Sequence, residues 1–395
     1  MHTDPRDLLD PDTLRARGSL KWTAMPGDIA AWVAEADFGT APAVTAAVQD
    51  AVARGQLGYL PPAVRRDLGS ACAAWLHDAY GWSVPAERVV PVGHVTEALQ
   101  VTVARYSRPG SAVILPTPAY MPFVTAPAVW GREVIQVPMA TDGGRPVLDL
   151  DALDAAFRAG GGLLVLVNPH NPTGRVLTRT ELVGVAEVVE RHGGRVFADE
   201  IHAPLVHPGL RHVPYASVSP AAAAHTVTAL SASKAWNVPG LKCAQVVLND
   251  VDAAAWAPDD DLLCEGASTI GAVANTAAYT AGREWLADVL GYLDGNRSAL
   301  ADAAGDVVGY APPEGTYLAW LDLRAGLDRH AAEGAPSWRT AAPGTVGHWL
   351  AARTGVMTTD GSLCGEAGRG FTRLNLAMPR PLVTEAGRRI ATLLG

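Results

Sequence analysis

The chain has 395 residues, 49% hydrophobic and 18% charged, which is typical of a globular protein with two domains or one large domain and a satellite. Its net charge of −9 and lack of a long basic run argue against a nucleic-acid partner. We see no signal peptide and no apolar run long enough to span a bilayer, and the four cysteines lack metal-site spacing. We therefore expect a cytoplasmic protein with no membrane, nucleic-acid or metal partner.

The first two thirds of the chain alternate apolar runs with helical patterns. We predict helices over residues 43–54, 63–80, 97–106, 149–159 and 178–192, and strands over residues 88–92, 112–115, 133–137, 163–167, 195–198, 225–230 and 245–248. Several strands are continuously apolar rather than alternating, which indicates a mostly parallel sheet covered by helices on both faces. The pattern predicts an α/β fold.

The last third mixes helices and strands in a different way. We predict a long helical stretch over 268–296, strands over 315–322 and 370–377, helices over 344–352 and 382–394, and a loop or insertion over 325–345. These elements suggest a smaller α+β domain that the N-terminal segment joins. The predicted divisions are an N-terminal arm and small-domain segment (1–40), a large domain (41–285) and a C-terminal small domain (286–395).

Lys234 follows the predicted strand over 225–230, at the strand end where open α/β sheets bind ligands. Ala232, Ala235 and Trp236 would partly desolvate its amine, which lowers the pKa and makes the amine nucleophilic. Such a lysine forms Schiff bases, above all with pyridoxal phosphate (PLP). A solvated loop lysine is the alternative, since most lysines are solvated.

Polar residues also follow other predicted strands, at residues 93–96, Tyr120, Asn171, and Asp199 with His202. In a PLP site, Asp199 would stabilise the protonated ring nitrogen and Asn171 would donate to O3′. Val95 and Thr96 open a helix and could bind the phosphate, and Tyr120 could cover the ring. Turns, helix caps and core packing are the alternative roles of these residues.

Two further cations complete the candidate set. Lys242 lies eight residues after Lys234 and could pair with the phosphate; a solvated loop charge is the alternative. Arg373 alternates out of an apolar strand, where its fork of donors could bind a substrate carboxylate. A strand residue that faces solvent would show the same pattern.

With these residues, the chain resembles the fold-type I PLP enzymes of the class I/II aminotransferase superfamily. Within that superfamily it is similar to the cystathionine β-lyase group of the MalY/PatB type. The most specific motifs are Asn-Pro-His-Asn-Pro at 168–172 and Ser-Ala-Ser-Lys at 231–234. Further matching segments are residues 21–22, 32–34, 37–38, 58–59, 118–123, 199–205, 313–321 and 373–375. The chain departs from the family pattern at Glu35-Ala36, His94 and Cys364, and the last two leave substrate identity open.

The resemblance implies a role for each matching residue. Lys234 would hold PLP as a Schiff base, with the cofactor contacted by Tyr59, Tyr120, Asn171, Asp199, His202 and Ser231. Val95, Thr96, Ser233 and Lys242 complete the candidate cofactor contacts. Substrate contacts would come from Arg373, Asp37 and Asn171, with Arg373 holding the carboxylate. Tyr59 would reach the phosphate in the neighbouring subunit, which implies a homodimer with shared sites.

The reaction that the resemblance implies is β-elimination. Cystathionine, cysteine or a related cysteine S-conjugate would give pyruvate, ammonia and a thiol. The same residues also serve transamination of an amino acid with a 2-oxo acid, so an aminotransferase stays open. A regulatory PLP-binding protein is a third alternative. A dehydrogenase is disfavoured because no GxGxxG follows a strand.

Overall fold

The larger part of the fold is built on one seven-stranded sheet, in a computed structural model that describes residues 4–395. The strands of all the sheets, numbered in chain order, are β1 Ile29–Ala30, β2 Val89–Val92, β3 Ala112–Thr117, β4 Val134–Pro138, β5 Ala140–Asp142, β6 Arg145–Val147, β7 Gly161–Val167, β8 Arg195–Asp199, β9 Thr226–Leu230, β10 Ala244–Val247, β11 Gly309–Tyr310, β12 Leu318–Asp322, β13 Val356–Met357, β14 Thr359–Asp360 and β15 Phe371–Asn375. The helices are α1 Pro11–Ala16, α2 Leu20–Thr23, α3 Pro42–Ala53, α4 Pro62–Tyr80, α5 Val95–Arg105, α6 Met121–Val129, α7 Leu150–Arg158, α8 Arg179–Arg191, α9 Pro220–His225, α10 Asp250–Trp256, α11 Asp260–Cys264, α12 Thr269–Ala281, α13 Arg283–Ala304, α14 Arg324–Arg329, α15 Thr345–Thr354 and α16 Arg380–Leu394.

The seven strands follow the order β2-β10-β9-β8-β7-β3-β4, and only β10 runs antiparallel to its neighbours. Every residue of β3, β7 and β9 is buried, which explains their continuously apolar sequence. Asp199 at the end of β8 is level with Val167 on β7 and Ala229 on β9. The carboxyl ends of these strands therefore share one edge. The prediction of an α/β fold with a mostly parallel sheet is confirmed.

A second, antiparallel sheet has the order β11-β12-β15-β14. Strand β15 carries Arg373, which lies opposite Trp320 on β12 and Thr359 on β14. The N-terminal segment returns to this part of the chain through β1, which pairs with β13. The domain boundaries at residues 40 and 285 stay predictions. No helix within residues 4–395 combines the length and apolar character needed to cross a bilayer.

Several predicted elements differ from those observed. The helix over 268–296 is two helices, α12 and α13, divided at Gly282, where a Cβ would lie 2.3 Å from Nε1 of Trp236. The strand over 315–322 begins only at Leu318, because Thr316 has a left-handed φ of 68°. The loop over 325–345 contains most of α14. Helix α6 was not predicted, since it is apolar on all sides and contains Pro127.

Candidate active site

A cavity of about 280 Å³ opens at the carboxyl edge of the seven-stranded sheet. Ten of the predicted site residues line it together: Val95, Thr96, Tyr120, Asn171, Asp199, His202, Ser231, Ser233, Lys234 and Lys242. They lie at the end of β8, after β2, β3, β7, β8 and β9, or just before β10, so residues from separate strands meet at one edge. The structure therefore brings most of the predicted set into one pocket.

Lys234 lies in the connection that follows β9 and is partly buried. Its Nζ donates a hydrogen bond to the Ala34 carbonyl, 2.9 Å away. Burial, and then the nearby positive charge of Arg373, lowers the pKa of Lys234 to about 8. About a tenth of this amine is therefore neutral, and nucleophilic, at pH 7, far more than for an ordinary lysine.

Asp199 ends β8 and is buried, with one backbone donor: the Ile201 N–H is 3.1 Å from its Oδ1. Burial raises the pKa of Asp199 to about 7, and the charge of Glu200 adds to the rise while Lys234 opposes it. A buried carboxylate with so few donors favours a cationic partner. A protonated ring nitrogen would supply that charge.

His202 and Asn171 lie on the same pocket wall. His202 is buried, its Nδ1 has no hydrogen-bond partner, and burial lowers its pKa to about 3, so the ring is neutral. The Asn171 Oδ1 accepts a hydrogen bond from Nη1 of Arg373 at 3.0 Å. A buried polar atom with no partner in the protein is free to bond to a ligand in the pocket.

One end of the pocket is the start of α5, which begins at Val95 rather than at Glu97 as predicted. His94 caps this helix, with its Nδ1 accepting from the Glu97 N–H at 3.1 Å. A Cβ on Gly93 would lie 2.6 Å from Oε2 of Glu97 and 2.7 Å from the Gly266 carbonyl, so only glycine fits here. Free N–H groups at the first turn of α5 suit an anion.

Two side chains on the opposite wall complete this end of the pocket. The Ser231 hydroxyl donates to the Cys243 carbonyl at 2.7 Å and accepts from the Ser233 N–H at 3.0 Å. Lys242 is exposed at the pocket rim, with a left-handed φ of 51°. Its positive charge is near enough to help lower the pKa of Lys234.

Arg373 lies beside the pocket on β15 and is buried. Besides its bond to Asn171, its Nη2 donates to the Trp32 carbonyl at 2.9 Å and to the Thr359 hydroxyl at 3.2 Å. Its Nε is buried and has no partner. This arrangement excludes the solvent-facing alternative, because the guanidinium is buried and held in place by three hydrogen bonds.

Asp37 is not among the residues that line the pocket. Its Oδ2 lies 2.9 Å from Nζ of Lys21 and its Oδ1 accepts from Nε1 of Trp22 at 2.8 Å. Both side chains of the ion pair are buried. Because both carboxylate oxygens have partners, Asp37 holds the N-terminal segment in place, and its predicted contact with substrate stays a prediction.

That N-terminal segment supplies groups that the sequence did not reveal. The Ala34 carbonyl accepts hydrogen bonds from Lys234 and from the Tyr317 hydroxyl, 3.1 Å away. The carbonyls of Val33 and Glu35 both accept from Nδ2 of Asn375 at 2.7 Å. Backbone carbonyls carry no residue-type signal, so no pattern in the sequence could have identified them.

Tyr59 lies outside this pocket, with 93% of its surface exposed. It borders a separate groove of about 870 Å³ that Gly58, Arg65 and Ser268 also line. The Thr269 hydroxyl donates to the Gly58 carbonyl at 2.8 Å and anchors the loop. The predicted contact of Tyr59 with a neighbouring subunit's phosphate stays a prediction.

The pocket residues fit PLP. The amine of Lys234 suits the aldehyde of PLP, and the buried carboxylate of Asp199 suits the ring nitrogen. The partnerless nitrogen of His202 suits O3′, and the start of α5 next to Gly93 suits the phosphate.

Comparisons with known proteins give the same family. The model for the family "Aminotransferase class I and II" matches residues 33–390. Cystathionine beta-lyase of Corynebacterium glutamicum is 37% identical, over 97% of this chain and 98% of that protein. Cystathionine beta-lyase PatB of Bacillus subtilis is 29% identical, over 92% of each. The structure of the PLP-bound C-S lyase from Staphylococcus hominis has a TM-score of 0.88 at 25% identity, over 99% of each chain. The resemblance is confirmed: the chain belongs to the class I and II aminotransferase family.

Proposed function

We propose that the chain is a PLP-dependent carbon–sulfur β-lyase, which converts cystathionine, cysteine or a related cysteine S-conjugate to pyruvate, ammonia and a thiol. The observation that carries the proposal is the 37% identity to a cystathionine beta-lyase over nearly the whole of both chains, with the pocket residues in place. Bound PLP supplies an electron sink for the pair of electrons left on the substrate Cα.

Lys234 has two roles in this proposal. Its amine holds the cofactor before substrate enters, and once displaced it removes the proton from the substrate Cα. The lowered pKa of Lys234, about 8, suits both roles, because the amine must be neutral to accept a proton near neutral pH. The Ala34 carbonyl keeps Nζ oriented toward the pocket at a distance of 2.9 Å.

Arg373 and Asn171 bind the substrate's α-carboxylate in this proposal. The unpaired Nε of Arg373 offers one donor, and the hydrogen bond from Nη1 to Asn171 fixes the plane of the guanidinium. Orientation of the carboxylate sets the direction of the Cα–H bond relative to Lys234.

The remaining residues hold the cofactor. Asp199 pairs with the ring nitrogen, neutral His202 and Asn171 address O3′, and Tyr120 covers the ring face. Phosphate contacts come from Val95, Thr96, Ser231, Ser233 and Lys242. The proposal draws support from their shared position around one cavity.

A homodimer is also part of the proposal, with the exposed Tyr59 reaching the phosphate in the other subunit's pocket.

We propose the cytoplasm as the compartment, since all four cysteines are free and buried.

The second candidate is an aminotransferase, which the family's own description favours. A substrate panel separates the two. The purified protein with PLP is incubated with cystathionine alone, and separately with an amino acid and 2-oxoglutarate. Pyruvate formed without an added 2-oxo acid supports the lyase; product that requires the 2-oxo acid would contradict it.

A further inference from the structure

Glu200 is a buried carboxylate that the proposed reaction leaves without a role. It follows Asp199 directly, and its backbone N–H still bonds across the sheet to the Ala229 carbonyl at 2.8 Å. Since successive side chains of an extended chain point to opposite faces, Glu200 lies behind Asp199, beside a small cavity that Tyr80 and Trp75 also line. Only 2% of its side chain is exposed. A carboxylate buried this completely needs donors on both oxygens.

Both oxygens of Glu200 have such donors. The Tyr215 N–H lies 2.7 Å from Oε1, and Nε2 of His212 lies 3.1 Å from Oε2. The His212 side chain is fully buried.

The proton on His212 can be assigned from its neighbours. The Leu177 N–H donates to Oδ1 of Asn168 at 2.9 Å, which fixes the orientation of the Asn168 amide. Its Nδ2 then points at Nδ1 of His212, 3.5 Å away, and must be the donor. His212 therefore accepts at Nδ1 and carries its proton on Nε2, toward Glu200.

These bonds form a directional relay from Leu177 through Asn168 and His212 to Glu200. The relay lies close to the pocket's edge, since the backbone N–H of Asn168 donates to the Asp199 carbonyl at 3.0 Å. Every donor in it points toward Glu200, which favours a negative charge there. That charge repels the Asp199 carboxylate and adds to the rise in its pKa, and a cation beside Asp199 would relieve the repulsion.

We propose that Glu200, oriented by His212 and Asn168, places a second negative charge behind Asp199, which strengthens binding of PLP through its protonated ring nitrogen. The inference rests on PLP as the cofactor in the proposed function, and is independent of which substrate bond is broken.

The test uses Glu200→Gln, with the exposed Glu187→Gln on α8 as the charge-matched control. The apparent Kd for PLP is measured by titrating the apoprotein, and Tm is measured alongside. We expect the Kd of Glu200→Gln to rise about tenfold, the order of effect of one nearby buried charge, and that of Glu187→Gln to stay at the wild-type value. A folded Glu200→Gln with the wild-type Kd would overturn the proposal.

A second variant tests the relay through folding. A Gln at 200 would direct its amide at Nε2 of His212, so His212 would have to move its proton to Nδ1, against the Asn168 donor. Asn168→Asp then supplies an acceptor for that proton. The double variant Glu200→Gln with Asn168→Asp should therefore recover most of the Tm lost by Glu200→Gln, and no recovery of Tm would contradict the relay.

A measurement on the unmutated apoprotein is independent of folding defects. Nitrogen-15 spectra of histidine-labelled protein, with His212 assigned through His212→Gln, should show a protonated Nε2 and a bare Nδ1. The reverse tautomer would overturn the relay. If Glu200→Gln raises the Kd for PLP as expected but the wild-type protein shows no lyase activity in the substrate panel, only the proposed reaction is contradicted.

Discussion

Asp37→Asn tests whether Asp37 stabilises the fold or binds substrate. The substitution leaves Nζ of Lys21 charged and buried with only the carbonyls of Glu35 and Ala377, at 3.3 and 3.2 Å, and a neutral amide as partners. The Lys21 side chain is 0% exposed and that of Asp37 is 3% exposed. Removing one partner of a buried ion pair costs about 3–5 kcal/mol, because the remaining charge is uncompensated. We expect the free energy of unfolding to fall by that amount.

The assay is urea unfolding of the apoprotein, so that cofactor binding does not add to the measured free energy. Asp50→Asn is the control, since Asp50 pairs with Arg54 on the surface and should cost less than about 1 kcal/mol. Because the same segment positions Ala34 against Lys234, we also expect kcat to fall. A change under about 1 kcal/mol, combined with about a tenfold rise in KM for the amino acid, would refute this reasoning and restore Asp37 as a substrate contact.

Three further predictions follow from the pocket. The rate of PLP attachment to the apoprotein should rise about tenfold per pH unit and level off above about pH 8, because only the neutral Lys234 amine attacks; a rise that continues to pH 10 would indicate an ordinary lysine. Gly93→Ala should raise the Kd for PLP about tenfold by crowding Glu97 and the Gly266 carbonyl, whereas Gly291→Ala, with open space around it, should not. Arg373→Lys should lower kcat/KM about 10- to 100-fold through KM, since a lysine cannot keep the fork of donors; equal kinetics would contradict carboxylate binding there.

The pocket could be predicted because its residues follow the strands of one sheet. Asp199, Asn171 and Lys234 are far apart in sequence, but each comes just after an apolar run, and parallel strands bring those positions to one edge. The fold class follows from the same continuous apolar runs. The observed bounds differ mainly at element ends, where caps such as His94 decide the first helical residue.

The role of Asp37 could not be derived in this way. A motif match shows that a residue type recurs but not what the side chain contacts, and the Lys21 partner becomes visible only when the N-terminal segment folds back. The carbonyl of Ala34 and the His212–Glu200 contact depend on tertiary packing in the same manner. Such contacts join positions whose spacing has no period that a sequence pattern could display.

Borohydride reduction of the PLP-loaded protein, followed by peptide mapping, tests the central claim most directly. The chain contains three lysines, Lys21, Lys234 and Lys242. Lys21 is buried in its ion pair with Asp37, whereas Lys242 lines the same pocket as Lys234 and is the internal comparison. We predict that the reduced cofactor is found on the peptide at Lys234 alone, at one per chain. Cofactor attached to Lys242, or no stable attachment, would contradict the account.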